Sequence, residues 1–147
     1  MASISKTIKI SKRLGDEIMI TEIQMLAAAG GLLLALTLIQ GTRNVILLGL
    51  PVAAGNQHDI APWSGWNDRL NRAIRNLIEA IAIFAPIVLA VHGLGLNNDL
   101  SALGAQIFLV SRIVHAVVYT LGVPWIRTLA WFAGVIGIVM VGAPLFT

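Results

Sequence analysis

The sequence predicts an all-α membrane protein, an up-down bundle of four transmembrane helices. Two observations carry that expectation. Of 147 residues, 57% are apolar and only 12% are charged, and the mean hydropathy is +0.85. A soluble domain carries about twice that share of charge. The apolar residues also fall into four runs, each near the roughly 20 residues that one helix needs to cross a hydrocarbon core.

The first 20 residues read as a basic tail. Lys6, Lys9, Lys12 and Arg13 suit water or lipid headgroups. Asp16, Glu17 and Glu22 follow, so the first apolar run begins too late for a signal peptide and is expected to stay in the mature chain. The four-helix domain is placed at 21–147. Its first span is set at about 23–40, with Gln40 and Arg43 at the far end and Val45 to Ala54 either continuing the helix or packing at the interface. A polar loop, Gly55 to Arg69, carries Trp63 and Trp66, which suit the membrane–water boundary.

The second span is set at about 70–92 and is followed by a Gly- and Asn-rich turn, Gly93 to Asp99. The third covers about 100–121. The connection Gly122-Val123-Pro124 is tight, and the fourth span covers about 125–145. Short connections make successive helices antiparallel neighbours. Ala27 with Gly31, and Ala133 with Gly137, put small residues at a spacing that favours close helix contact.

Cysteine is absent, which excludes disulfides, a thiolate nucleophile on the protein and Cys-ligated metals. No metal site is expected. The net charge of +3 is too small and too scattered for a nucleic-acid surface.

Candidate function rests on polar residues where lipid would reject them. Arg72, Arg75, Asn76 and Glu79 fall within an arc of about 100° on a helix. Arg112, His115 and Tyr119 fall within about 60° on the next span. A charge at mid-membrane costs from about 2.5 kcal/mol upward, so Arg112 must face the bundle interior or water and find a partner. Glu79 is the only acidic residue within an apolar span after Glu22, which makes it the expected partner. The two stripes should face each other or one shared polar cavity. The bland reading is a buried pair that only fixes helix register.

Several arginines, one carboxylate, an amide, an imidazole and a phenol suit a zwitterion with more carboxylates than amines. Glutathione is one ligand among several that fit. Arg127, just past the turn into the fourth span, is placed to hold a thiol as its thiolate, because nearby cations lower a thiol pKa.

At these residues the chain resembles the MAPEG family, the membrane-associated proteins in eicosanoid and glutathione metabolism. One matching block is Arg72-Ala-Ile-Arg75-Asn76-Leu-Ile-Glu79, followed by Phe84. The other is Arg112-Ile-Val-His115-Ala-Val-Val-Tyr119, then Gly122, Pro124, Arg127 and Trp131. The resemblance implies a homotrimer of four-helix protomers in the lipid bilayer, with glutathione held between neighbours. It implies glutathione contacts from Arg72, Arg75, Asn76, Glu79, Arg112, His115 and Tyr119, and thiolate stabilisation by Arg127. Arg43 corresponds loosely to a first-helix arginine that closes the site. The implied activity is glutathione transfer to lipophilic electrophiles, or reduction of lipid hydroperoxides. The alternative is a non-catalytic membrane trimer that binds glutathione or a lipid. Two departures stand out: Ala82 where the family often has a proline, and Trp131 where some members have tyrosine. Thr128 is the candidate substitute donor.

Overall fold

The computed structural model describes residues 2–55 and 63–146, with 2–20 described by their backbone. Among the described residues, five α-helices follow one another: α1 (Ala2–Leu48), α2 (Leu50–Ala53), α3 (Gly65–Gly93), α4 (Asp99–Leu121) and α5 (Pro124–Gly142). A closing 3₁₀ turn covers Ala143–Leu145. Four stretches are long and apolar enough to cross a membrane: Thr21–Leu48, Gly65–Gly93, Asp99–Leu121 and Pro124–Leu145. The protein is an integral, multi-pass membrane protein with an all-α four-helix architecture.

The helix ends follow local chemistry. α1 ends at Gly49, whose φ of 77° only glycine adopts cheaply, and Pro51 then starts the short α2. Asn98 caps α4 by accepting from the Ser101 amide, and the Ser101 side chain accepts from the Asn98 amide in return. Gly122, at φ 84°, closes α4 in the left-handed conformation. Pro124 then opens α5, where its missing N–H costs nothing. This two-residue reversal lays α5 directly back along α4.

Two boundaries differ from the expected ones. The first span does not stop near residue 40. Gln40 hydrogen-bonds Asn71, and Arg43 Nε donates to Asn67 Oδ1 at 2.8 Å, so the polar residues of α1 face α3 while the helix runs on to Leu48. The second helix begins at Gly65 rather than Leu70 and takes in Trp66. Residues 56–62 of the expected loop lie outside the described residues.

The core forms where α1, α3, α4 and α5 meet. Phe84 and Phe108, both fully buried, stack with ring centroids 3.8 Å apart. Ala29, Val88, Val91, Ala105 and Val141 pack around them. Leu34, Ile83, Val110, Leu129 and Val139 are exposed, giving the apolar exterior that hydrocarbon requires.

Two polar residues, Glu22 and Ser101, are buried at the end of the bundle where α4 begins. Glu22 is fully buried, and its Oε1 accepts from Ser101 Oγ at 2.5 Å, while Oε2 has no partner among the described residues. Ser101→Ala removes this bond and the Ser101 side-chain half of the α4 capping box, while the Asn98 side chain still accepts from the residue-101 amide. It is expected to lower stability by about 1–3 kcal/mol, the usual cost of stranding a buried acceptor. A thermal midpoint in detergent that matched the parent protein would refute the assignment.

Candidate functional site

The polar cluster sits at the opposite end, where α3 and α5 begin and α4 finishes. Arg69 Nε donates to the Thr120 carbonyl at 2.9 Å, so the first turns of α3 are tied to the last turn of α4. That tie brings the two stripes to one level. Arg72 pairs with Asp68 on its own helix at 2.9 Å, and Tyr119 of α4 lies close enough to add to its electrostatic surroundings.

On α4, the stripe is continuous. His115 is buried and meets Tyr119 edge-on, with centroids 5.4 Å apart. The tight reversal at Gly122 then brings Arg127 of α5 back over Tyr119, with its guanidinium carbon 4.6 Å from the ring centroid. A cation over a phenol face gains about 0.5–2 kcal/mol and fixes the side chain's direction. Arg127 is half-buried, and no hydrogen bond engages its guanidinium among the described residues.

Arg112 is 3% exposed. Its Nη1 donates to Asn76 Oδ1 at 3.2 Å, which joins the α4 stripe to the α3 stripe. Its Nη2 donates to the Trp131 carbonyl at 3.1 Å and to the Ala130 carbonyl at 3.4 Å. Glu79, the partner expected from the sequence, is not among these partners. It lies exposed on α3 with Arg72 and Arg75, while Asn76 is half-buried. The reason is local: backbone carbonyls of α5 lie beside Arg112 and satisfy the guanidinium without a carboxylate.

Other expected residues lie elsewhere. Arg43 stacks over Trp66 at 4.5 Å and bonds Asn67, both on α3. Thr128 is exposed, and its Oγ1 donates to the Pro124 carbonyl at 3.3 Å. Trp131 is 40% exposed and meets Phe132 edge-on at 5.1 Å.

An apolar groove of about 520 Å³ runs between α4 and α5, lined by Leu103, Gln106, Val110, Val114, Ile126 and Leu129 among others. Its Ile126 end adjoins Arg127 in sequence. Sequence reasoning missed this groove, because it is a product of how α4 and α5 pack against each other. It also missed Gly134, whose role is to leave room for Arg112. A Cβ there would sit 1.9 Å from Arg112 Nη2.

Glu79 and Arg75 place ionisable side chains on an exposed face of a membrane span, and neither forms an ion pair among the described residues. In hydrocarbon that arrangement costs several kcal/mol, so this face calls for a polar occupant. No curated protein and no solved structure matches the chain. The family model described as MAPEG family matches residues 23–146.

Proposed function

Because the chain belongs to the MAPEG family, whose members act in membranes in glutathione or eicosanoid metabolism, we propose that it is a membrane-bound glutathione-dependent transferase or peroxidase. Its substrates are lipophilic electrophiles or lipid hydroperoxides. Three copies assemble in the bilayer and hold glutathione between neighbours. The observation that carries this reading is the pair of α3 residues, Arg75 and Glu79, that have no ion-pair partner among the described residues. Arg75 and Glu79 stand exposed within a membrane span, one turn apart, beside Arg72 and Asn76. A ligand with two carboxylates and one ammonium complements that face, with one carboxylate on Arg75, the ammonium at Glu79 and the other carboxylate displacing Asp68 from Arg72.

In this reading Arg72 and Arg75 take carboxylates, Glu79 takes the ammonium, and Asn76 and Tyr119 add hydrogen bonds. His115 backs Tyr119 from the buried side. The thiol then falls near Arg127, which stabilises the thiolate once its proton has passed to water. For an electrophile, the sulfur lone pair forms the new S–C bond and the leaving group departs with its electrons. For a hydroperoxide, sulfur attacks the terminal oxygen, the O–O bond breaks and an alcohol leaves. A second glutathione converts the resulting sulfenic acid to disulfide and water. The α4–α5 groove supplies an apolar path by which the second substrate reaches the thiolate from the bilayer.

Thermal unfolding in detergent tests the binding step. Glutathione should raise the thermal midpoint, and analogues lacking either carboxylate should bind about 10–100-fold more weakly, because each charge-assisted contact contributes about 1.5–3 kcal/mol. Equal stabilisation by full and truncated ligands would end the proposal that the α3 arginines hold the carboxylates.

A further inference from the structure

The family resemblance makes Arg112 a ligand contact. The geometry points to a different task, and we propose that Arg112 is a positioning residue, a clamp that fixes α5, and with it Arg127, against α3 and α4. Its consequence for catalysis rests on the glutathione reading above, while the clamp itself does not.

The argument begins with hydrogen-bond capacity. A guanidinium has five N–H groups in a rigid fork. Those of Arg112 are directed at Asn76 Oδ1 on α3, at the Ala130 and Trp131 carbonyls on α5, and, at the limit of bonding distance, at Ser111 Oγ on α4. The fork therefore engages three helices. At 3% exposure it presents almost no surface to a ligand. The two α5 carbonyls belong to the turn that follows Arg127. Holding them sets the depth and rotation of the α5 N-terminal half, and so the placement of Arg127 over Tyr119.

The second observation is the space the fork occupies. A Cβ on residue 134 would lie 1.9 Å from Nη2, 2.6 Å from Cζ and 2.7 Å from Ser111 Oγ of the neighbouring helix. The backbone of α5 approaches α4 so closely at Gly134 that the guanidinium lies where any other residue would carry its side chain. Arg112 and Gly134 are complementary parts of one device. Packing alone is served more cheaply by an apolar side chain, because a buried charge without a counter-ion is costly. The fork adds directed bonds to three elements.

The test has two arms. In the first, thermal midpoints are measured for Gly134→Ala, Arg112→Met and the double variant, without glutathione. Gly134→Ala should fall well below the parent. The double variant should recover much of that loss, because the two guanidinium clashes are gone and only the contact with the Ser111 hydroxyl, which can rotate, remains. A double variant no more stable than Gly134→Ala overturns the clamp, and this arm holds even where glutathione fails to bind the parent protein, a result that sinks only the proposed function.

In the second arm, Arg112→Met is compared with the parent by glutathione affinity, by thiolate absorbance of bound glutathione against pH, and by kcat with chlorodinitrobenzene. A positioning residue predicts affinity within about threefold, with a lower kcat and a thiolate titration displaced to higher pH. Affinity at least tenfold weaker, with the titration of the bound thiol unmoved, makes Arg112 a ligand contact and overturns the proposal.

Discussion

Arg127→Ala should lower kcat for glutathione conjugation by about 10²–10³-fold while leaving glutathione affinity within a few-fold. That range is the cost of removing one preorganised donor from developing negative charge, about 2.7–4 kcal/mol. The expectation rests on the division of labour along the site. The groups proposed to match the carboxylates and ammonium lie on α3, whereas Arg127 enters from α5 over Tyr119. Loss of Arg127 should therefore spare binding and harm chemistry. The pH profile gives an independent check. A free thiol ionises near pH 8.5, and a neighbouring cation lowers that value by a unit or more. With Arg127 present, thiolate should form below the free-thiol range and the rate should already be high at neutral pH. Without it, the rate should climb as pH rises through about 8.5. The measurement is thiolate absorbance and initial rate over the same pH series. An unaltered profile in Arg127→Ala would remove Arg127 from the reaction.

The four spans were legible because hydropathy and length report them directly. Their ends were less so, for a physical reason. Gln40 and Arg43 look like the rim of the first span, since polar residues usually mark the exit from lipid. They are accommodated because Asn71, Asn67 and Trp66 of α3 face them, and only the fold brings those residues together. The convergence of the two stripes was partly readable from helical spacing, and the Arg112–Asn76 bond joins them. The partner of Arg112 was not readable. Counting side chains leaves Glu79 as the sole carboxylate, but every residue also carries a carbonyl, and nothing in the sequence says which carbonyls a guanidinium will meet. Glu22 illustrates the same limit. An acid in the first turn of an apolar run looks like a solvated flank, yet it is buried against the α4 cap. The small-residue pattern was seen, but Ala133 with Gly137 was only part of it. The closest approaches are made by Gly104, Gly134 and Gly137.

Gly137→Ala should be strongly destabilising. A Cβ at Gly137 would lie 2.6 Å from the Gly104 carbonyl oxygen, 2.8 Å from the Phe108 amide nitrogen and 3.2 Å from the Phe108 Cα. A Cβ at Gly104 would in turn meet the Gly137 carbonyl at 2.7 Å. These neighbours are backbone, so no rotamer change relieves the contact and the helices must separate. Separation matters more in lipid than in water, because hydrocarbon exerts no hydrophobic pressure to hold helices together and packing carries the association. Overpacking costs about 1–3 kcal/mol where side chains can yield, and more where they cannot. With about 3 kcal/mol lost, the thermal midpoint should fall by about 10 °C on the scaling for domains of this size. Gly31→Ala is the matched control. Nothing lies within 4 Å of a Cβ there, and alanine improves helix propensity by up to about 1 kcal/mol, so its midpoint should hold or rise. Thermal unfolding of both variants in the same detergent decides the matter. Similar midpoints for the two would mean that the α4–α5 seam tolerates separation, and activity should then survive as well. A large drop for Gly137→Ala alone would tie stability to backbone contact at Gly104. Because Phe108 stacks on Phe84, the same displacement should loosen α3 and carry its charged face away from Arg127.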